Sequence, residues 1–288
     1  LERARERFRG MADVSVIANE GPKGLSGARN TGVNAAAGSS VAFLDDDAQA
    51  QPDWLEHLGR CLQQEEVLGA GGWVEARWLA GRPRWFPRTF DWVVGCSYTG
   101  LPEERSQVRN PIGASMLIRS EVFASVGGFR NGLGRVGKVP LGGEETELAI
   151  RAQQRFRDGV FLLEPRALVH HNVPAARGRV GYFLQRCWAE GFSKARMTSL
   201  AGRQPALAAE REYSLRVLPR HFIGELTDGV RRLDAGSLLR AAAIAGGFAA
   251  TALGFLTGLA GGRLRPVVTG DAPPVPGRSP VRELQREG

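Results

Sequence analysis

The sequence predicts an α/β fold with a mostly parallel sheet flanked by helices, followed by a helical and apolar C-terminal tail. Short apolar runs that favour strands alternate with helical patterns, and this alternation is typical of a parallel sheet. With 288 residues, of which 43% are hydrophobic and 24% charged, the chain can bury a full core. An uncharged run at residues 241–262, with arginines on both sides, follows the predicted domain.

The predicted elements follow one another in a regular order. Val14, Val16 and Ala18 alternate with smaller or polar residues, which predicts a strand over residues 12–19. Ser26 is a favourable N-cap and Gly38 a favourable end, so a helix is predicted between them. The remaining patterns predict a strand at 41–44, a helix at 52–65, a strand at 71–79, a long loop at 81–109, a strand at 116–118, helices at 120–126 and 146–156, and short strands at 161–163 and 167–169 separated by Pro165.

Charge and cysteine content narrow the possible classes of function. The net charge of +8 fits an anionic substrate or an anionic membrane surface. The sequence has neither a zinc finger nor an aromatic RNA-binding signature, and it lacks a dense basic stripe, so nucleic acid is not an expected partner. The three cysteines are far apart, which favours free thiols in a reducing compartment.

Three adjacent carboxylates follow the apolar run at 41–44: Asp45, Asp46 and Asp47. Adjacent acids repel one another, so they favour water or a cation as their neighbour. Ligands bind at the carboxyl ends of strands in α/β sheets, where an Asp-x-Asp pair suits a divalent ion that also holds a diphosphate. The alternative interpretation is a solvated acidic turn before the helix predicted at 52–65.

Six segments together resemble the core of the family 2 glycosyltransferases of the GT-A fold. They are GLSGARNTGVN at 24–34, VAFLDDD at 41–47, NPIGASM at 110–116, VGGF at 126–129, GGEETEL at 142–148 and VHHNVP at 169–174. The resemblance covers about 150 residues in the order of the family. It implies an inverting transfer of a sugar from a nucleotide-diphosphate sugar, assisted by Mn²⁺ or Mg²⁺.

The resemblance also implies roles for the acidic residues. Asp47 would coordinate the metal, Asp45 would contact a metal-bound water or the ribose, and Asp46 would orient them. The general base of the family is the Asp of a Glu-Asp pair, whose place here is held by Glu145 after Glu144. The alternative is that these glutamates only favour a helix N-terminus.

A third metal or diphosphate contact is implied at the pair His170 and His171. Neighbouring residues on a strand face opposite sides, so only one of them can face the site, and we expect it to be His170. The alternative is a structural histidine.

Further residues are implied to bind the substrates. Arg29 and Asn30 would contact the nucleotide, although a surface Arg and a packing Asn fit the same pattern. Gly113 and Ala114 would leave room for the donor sugar, although tight packing also explains small residues. Residues 182–191 faintly resemble the motif of processive members, but the spacing differs, which predicts a non-processive enzyme. The residues expected on the acceptor side are Arg186 and Trp188.

The predicted domain organisation is a GT-A-like domain at 1–200, a helical extension at 201–240, an apolar helix at 241–262 and a disordered tail at 263–288. The apolar helix would be roughly 33 Å long, enough to span a bilayer or lie on its cytoplasmic face, where the donor is found. A buried soluble helix is the alternative. Because family members open with an earlier strand and helix, the resemblance predicts that the chain lacks the amino-terminal part of the domain; a naturally short protein that opens with an amphipathic helix over residues 1–10 is the alternative.

Three functions remain open at this point. The first is an inverting glycosyltransferase with a lipid-linked or polysaccharide acceptor. The second is an inactive, membrane-associated relic of the same fold that binds sugars or a partner. The third, a nucleotidyltransferase, is disfavoured because the sequence shows no glycine-rich, lysine-bearing phosphate loop.

Overall fold

A computed structural model describes residues 2–11, 13–135, 141–201 and 213–261. Within these ranges, six strands form one sheet with helices packed against it. The strands are β1 Ser40–Leu44, β2 Ala48–Ala50, β3 Val67–Trp78, β4 Ser106–Val108, β5 Ser115–Arg119 and β6 Val160–Val173. The predicted α/β class, with helices flanking a sheet, is confirmed.

The helices fall before, between and after these strands. Their bounds are α1 Glu2–Arg7, α2 Leu25–Ala35, α3 Trp54–Cys61, α4 Ser120–Val126, α5 Glu144–Arg155, α6 Val180–Ala201, α7 Leu218–Arg232 and α8 Ala235–Gly261. The boundary predicted between residues 240 and 241 falls inside α8, which is one continuous helix. The tail predicted at 263–288 lies outside the described residues.

The strand directions differ from the mostly parallel sheet that we predicted. The order is β1-β5-β3-β6-β2, with β4 also pairing with β6, and among the described strands only β3 and β6 pair in parallel. β5 runs antiparallel to both of its neighbours, and β2 and β4 run antiparallel to β6. The alternation predicts parallel strands when each connection is a crossover between parallel strands, whereas here β5 enters the sheet between β1 and β3 and runs opposite to both.

Pro165 does not divide β6 into two strands as predicted. Gly72 of β3 pairs with Glu164 and the next residue, Trp73, pairs with Leu168, so the residues between bulge out of the ladder. A side chain at Gly72 would overlap the carbonyl oxygen of Ala167, which explains the glycine on the facing strand. The bulge thus accommodates the proline without ending the strand.

Two other predicted segments are also corrected. Residues 13–19 form no strand, since they pair with no strand of the described sheet and most of their side chains are exposed. The segment predicted as a loop at 81–109 contains β4 and a 3₁₀ helix, Arg88–Val94, whose Phe90 and Val93 are buried. Burial of these apolar residues orders the segment that its irregular pattern had assigned to a loop.

Two apolar clusters lie on the sheet, and a third joins it to the C-terminal helices. α4 and α5 cover a cluster around Phe123, Phe129 and Phe161, and α3 covers another around Leu58. The third cluster joins Phe90 to Phe183 of α6 and Ile244 of α8. The helices that follow β6 are therefore part of the same packed unit as the 3₁₀ helix.

α6 and α8 cross at a stripe of small residues. A Cβ at Gly254 would overlap the carbonyl oxygen of Trp188, and a Cβ at Gly191 would overlap that of Thr251. A Cβ at Gly258 would lie 2.6 Å from that of Ala195. The two helix backbones approach closely because these positions carry no side chain.

We predict that Gly254→Ala lowers the free energy of unfolding by about 1–3 kcal/mol, because the new methyl forces the helices apart. Gly246→Ala is the matched control in the same helix, where the nearest atom to a new Cβ would be 3.9 Å away. That change should raise the free energy of unfolding by up to about 1 kcal/mol through helix propensity. Urea unfolding in a mild detergent measures both; equal effects would contradict the close crossing.

Candidate functional site

The turn between β1 and β2 carries the three adjacent acidic residues. Asp47 Oδ1 lies 3.0 Å from His171 Nε2, and its Oδ2 lies 3.0 Å from Arg177 Nη2. Asp45 Oδ1 lies 3.6 Å from Arg29 Nη2. Asp46 lines the same cleft and is more exposed than its two neighbours. The turn therefore presents its first and last carboxylates to other elements of the fold.

The register of β6 decides which histidine faces this turn. His171 is 3% exposed and shares the buried side of the strand with Val169. The side chain of His170 is 29% exposed and lies on the other side, with Nδ1 3.2 Å from Glu75 Oε2. The prediction of His170 at the site is wrong. Neighbouring residues of β6 do face opposite sides, as expected. The site lies on the side of β6 that Val169 and His171 share.

Asp45, Asp47 and His171 together could hold a metal ion. Their ligand atoms all lie within 4.8 Å of one another. Burial lowers the pKa of His171, against the opposing effect of Asp47, which favours the neutral imidazole that binds metals. His171 Nδ1 is buried and has no hydrogen-bond partner among the described residues. The donor set of two carboxylates and one imidazole fits a divalent cation.

A second acidic group lies at the start of α5 and is joined to the first by Arg29. Arg29 Nη1 donates hydrogen bonds to Glu144 Oε1 at 3.1 Å and to Glu145 Oε1 at 3.0 Å. Its Nη2 faces Asp45, so one buried guanidinium contacts carboxylates from two regions of the chain. Arg29 lines the cleft, but its nitrogens contact the protein's own carboxylates, a role that the sequence did not reveal.

The two glutamates differ in exposure. Glu144 is 2% exposed, whereas Glu145 is only partly buried and lies in the cleft. Burial, together with the neighbouring charge of Glu145, raises the pKa of Glu144 to about 8. Glu144 Oε2 has no hydrogen-bond partner in the described part of the chain. Both glutamates line the cleft, but Glu145 is the more exposed of the two and is therefore the carboxylate that a substrate can reach more easily.

The residues predicted to contact the donor fall into two groups. Gly113 and Ala114 line the cleft, and a Cβ at Gly113 would overlap the Glu145 carboxylate, so the glycine allows a close approach. Asn30 instead donates to the carbonyl oxygen of Phe129 at 2.8 Å and accepts from its backbone N–H at 2.7 Å. Asn30 does not line the cleft, and both ends of its amide hold the backbone of another segment, which favours the packing alternative over nucleotide binding.

The acidic groups open into one cleft of about 910 Å³. Arg186 of α6 lines this cleft, as predicted for the acceptor side, and lies 3.9 Å from Glu190. Trp188 is not among the lining residues; it stacks on Phe192 with ring centroids 5.2 Å apart. Its placement at the site was wrong, because residues two apart on a helix point in nearly opposite directions.

Three parts of the site were not predicted from the sequence. Arg177 holds Asp47 from a 3₁₀ turn after β6, with no motif around it. His171 could have been found from the alternation of buried residues around it. The cleft wall formed by α8 was not predicted, because the hydropathy of the long apolar run is the same on all sides of the helix.

Comparison with known proteins identifies the family. Residues 2–127 match the model of the family described as Glycosyl transferase family 2. The chain is 31% identical over 195 residues to the glucosyl-dolichyl phosphate glucuronosyltransferase of Haloferax volcanii, over 67% of this chain and 62% of that protein. It is 27% identical over 175 residues to the succinoglycan biosynthesis protein ExoM of Rhizobium meliloti, over 60% of this chain and 52% of that protein.

These relatives are longer than the aligned region, so the chain spans less than two thirds of the length of each. A crystal structure of GalNAc-T7 with UDP, GalNAc and Mn²⁺ is also similar, with a TM-score of 0.45 and 17% identity over 73% of this chain and 44% of that one. The chain belongs to the family 2 glycosyltransferases.

The raised pKa of Glu144 predicts a pH-dependent stability. Between its unfolded value of 4.5 and about 8, the folded state holds a proton that the unfolded state has released. Stability should therefore fall as the pH rises through this window, by at most about 1.4 kcal/mol per unit of pKa difference, and level off above it.

Glu144→Gln should remove this dependence, because the amide is neutral at every pH and can still accept from Arg29. The free energy of unfolding of the variant minus that of the unsubstituted protein, both measured by urea unfolding, should therefore increase from pH 4.5 to pH 8. Glu121→Gln, at a more exposed position near the start of α4, is the control and should leave the pH dependence unchanged. Parallel pH profiles for Glu144→Gln and the unsubstituted protein would contradict the assignment.

Proposed function

We propose that the chain catalyses a metal-assisted, inverting transfer of a sugar from a nucleotide-diphosphate sugar to a lipid-linked or polysaccharide acceptor. One observation carries the proposal: a single cleft contains the possible metal ligands Asp45, Asp47 and His171 and the accessible carboxylate Glu145. Arg29 contacts Asp45 and Glu145 through adjacent nitrogens, so the two functional groups are neighbours.

Glu145 is the proposed general base. It would accept the proton of the acceptor hydroxyl, whose oxygen forms a bond to the anomeric carbon of the donor sugar. The bond between that carbon and the diphosphate oxygen breaks, and its electron pair leaves with the nucleoside diphosphate. Attack from the side opposite the leaving group inverts the anomeric centre.

The remaining residues position the donor and its leaving group. A divalent ion held by Asp45, Asp47 and His171 would supply positive charge for the departing diphosphate. Arg177, which contacts Asp47 and lines the cleft, would bind the same diphosphate. Gly113 and Ala114 line the wall beside the donor sugar, and the absent side chain of Gly113 lets the Glu145 carboxylate approach that wall. Arg29 orients Glu145 through a hydrogen bond of 3.0 Å.

We also propose that the protein works at the cytoplasmic face of the cell membrane. By length and composition, residues 235–260 of α8 form one helix apolar enough to cross a membrane, with a mean hydropathy of 1.6. The neighbouring α7 also exposes large apolar side chains: Ile223, Leu226 and Val230. Basic residues at the end of α7, Arg231 and Arg232, suit an anionic membrane surface.

The adjacent histidines provide a matched test of the metal site. We predict that His171→Ala weakens Mn²⁺ binding, measured by calorimetry in the presence of UDP, by at least about tenfold, because one of the three proposed ligands is lost. His170→Ala should leave the affinity within about twofold, since His170 faces away from the acidic turn. Asp47→Asn should match His171→Ala by removing a charged ligand. Equal effects of the two histidine variants would rule out this metal site.

The role of Glu145 is tested by separating binding from chemistry. Glu145→Gln should leave donor binding nearly intact and reduce transfer by about 100-fold or more, because the amide cannot take the proton. Glu145→Asp, which keeps the carboxylate, should be milder. Transfer is measured with the donor found by screening nucleotide sugars for metal-dependent hydrolysis. If Glu144→Gln proves more damaging than Glu145→Gln, the base is misassigned, and a chain that hydrolyses none of the donors favours a non-catalytic relic.

A further inference from the structure

A second cavity, of about 400 Å³, lies apart from the cleft. Its walls come mainly from residues 82–89, from α7 and from the amino-terminal part of α8, and none of the described residues that line it also lines the cleft. Basic side chains predominate among its charged and titratable lining residues, which are Arg82, Arg84, Arg88, His221, Glu225 and Arg240. The cavity is therefore a separate site in which basic side chains outnumber acidic ones.

Three of the four arginines are already paired with carboxylates: Arg82 with Asp91, Arg84 with Asp234 and Arg240 with Glu225. Arg88 is exposed, and its side chain makes no hydrogen bond or ion pair within the described part of the chain. Its charge acts on Asp91, but both oxygens of that carboxylate already accept hydrogen bonds from Arg82. The guanidinium of Arg88 therefore remains available to an anion in the cavity.

A buried hydroxyl next to Arg88 in the chain also lacks a partner. Thr89 is 3% exposed and lines the cavity, yet its Oγ1 makes no hydrogen bond with any described residue. A polar group that is buried without a partner costs free energy, and a ligand in the cavity would recover it. His221 of α7 is half-buried in the same lining and can donate from its ring in either protonation state. Arg88, Thr89 and His221 thus bring hydrogen-bond donors to the cavity from two elements.

This donor set fits a phosphate group. A guanidinium, a hydroxyl and an imidazole N–H can each donate to a different phosphate oxygen, and the charge of the guanidinium strengthens its hydrogen bond. A carboxylate offers only two oxygens in one plane, which donors from two elements match less well. The neighbouring α8 is apolar enough to cross a membrane, so the phosphate of a lipid headgroup is a nearby source.

We propose that this cavity binds a phosphate group through Arg88, Thr89 and His221, outside the cleft. Such a site goes beyond the proposed glycosyl transfer, because it shares no described lining residue with the cleft. The phosphate belongs either to a lipid headgroup or to a soluble anion, and both present the same oxygens to the cavity. When bound, it would join α7 to the 3₁₀ helix, whose Trp92 and Val93 line the cleft.

Binding is measured by calorimetry on the full chain in a nonionic detergent. Dihexanoyl phosphatidic acid and inorganic phosphate are the probes, and dihexanoylglycerol is the uncharged control. At least one phosphate probe should bind at least about tenfold more tightly than the control, because only a phosphate engages the donors. Tighter binding of the lipid than of inorganic phosphate identifies a headgroup site, and the reverse or equality identifies a soluble anion. If neither phosphate probe binds, or if the control binds as tightly as both, the proposal is overturned.

Two arginines provide the matched variants. Arg88→Gln removes the available guanidinium and should weaken binding of the tighter phosphate probe by about tenfold or more, whereas Arg88→Lys, which keeps the charge, should lose less. Arg220→Gln removes the same charge from an exposed position of α7 that does not line the cavity, and it should stay within about twofold. Equal losses at positions 88 and 220 would indicate general attraction to a basic surface and would overturn the proposal.

Thr89→Val tests the buried hydroxyl, because it keeps the shape of the side chain. It should weaken phosphate binding by about threefold to tenfold without lowering the free energy of unfolding, since the hydroxyl has no partner in the protein. Unchanged phosphate binding would overturn the proposed donor set. UDP binding with Mn²⁺ should be the same in all of these variants as in the unsubstituted protein. A parallel loss of UDP binding in Arg88→Gln would place the phosphate in the cleft and would overturn the second site.

Discussion

The buried guanidinium of Arg29 is the interaction on which the candidate site depends. Arg29 comes from α2, yet it contacts Asp45 in the turn after β1 and both glutamates at the start of α5. Without a cation, these carboxylates would repel one another at close range in a partly buried setting. A lone buried arginine would be equally unfavourable, since its desolvation would be uncompensated. The ion cluster therefore fixes the positions of three elements relative to one another, beside Gly113, where a side chain would overlap Arg29 and Glu145.

Much of this arrangement was predictable from sequence, because it depends on local patterns. The acidic turn and the small residues at 113 and 114 were found from their residue types, the head of α5 was found from the family resemblance, and all line one cleft. The histidine was misassigned because alternation along a strand gives two sides without saying which one faces the site. Only the pairing of β6 with β2 and β3 resolves that choice. Asn30 illustrates a different limit: an amide that satisfies a distant backbone looks, in sequence, like one that binds a ligand.

The sheet shows the same division between local and non-local information. Most strands and helices were found within a few residues, but their directions were not, because β1 and β3 both pair with β5, from a distant part of the sequence. Proline was taken to end a strand, yet a bulge opposite Gly72 absorbs it. In each case the missing information is the identity of a partner segment. Residue preferences describe a segment alone, whereas strand direction and bulges belong to a pair of segments.

The C-terminal helices form one wall of the cleft and also an exposed apolar surface. The sequence indicated only that this segment is apolar. A membrane-spanning helix and a buried helix of a soluble protein can have the same apolar composition. Hydropathy alone therefore does not decide whether α8 contacts a membrane or the protein core. The small residues distinguish its sides: Gly247, Gly254 and Gly258 face the rest of the protein, as the buried Ile244 does, whereas Leu253, Leu256 and Leu259 are exposed. One side of the helix lines the cleft. The helix is therefore packed closely enough to line the cleft while its other sides stay exposed, and both properties follow from where its glycines lie.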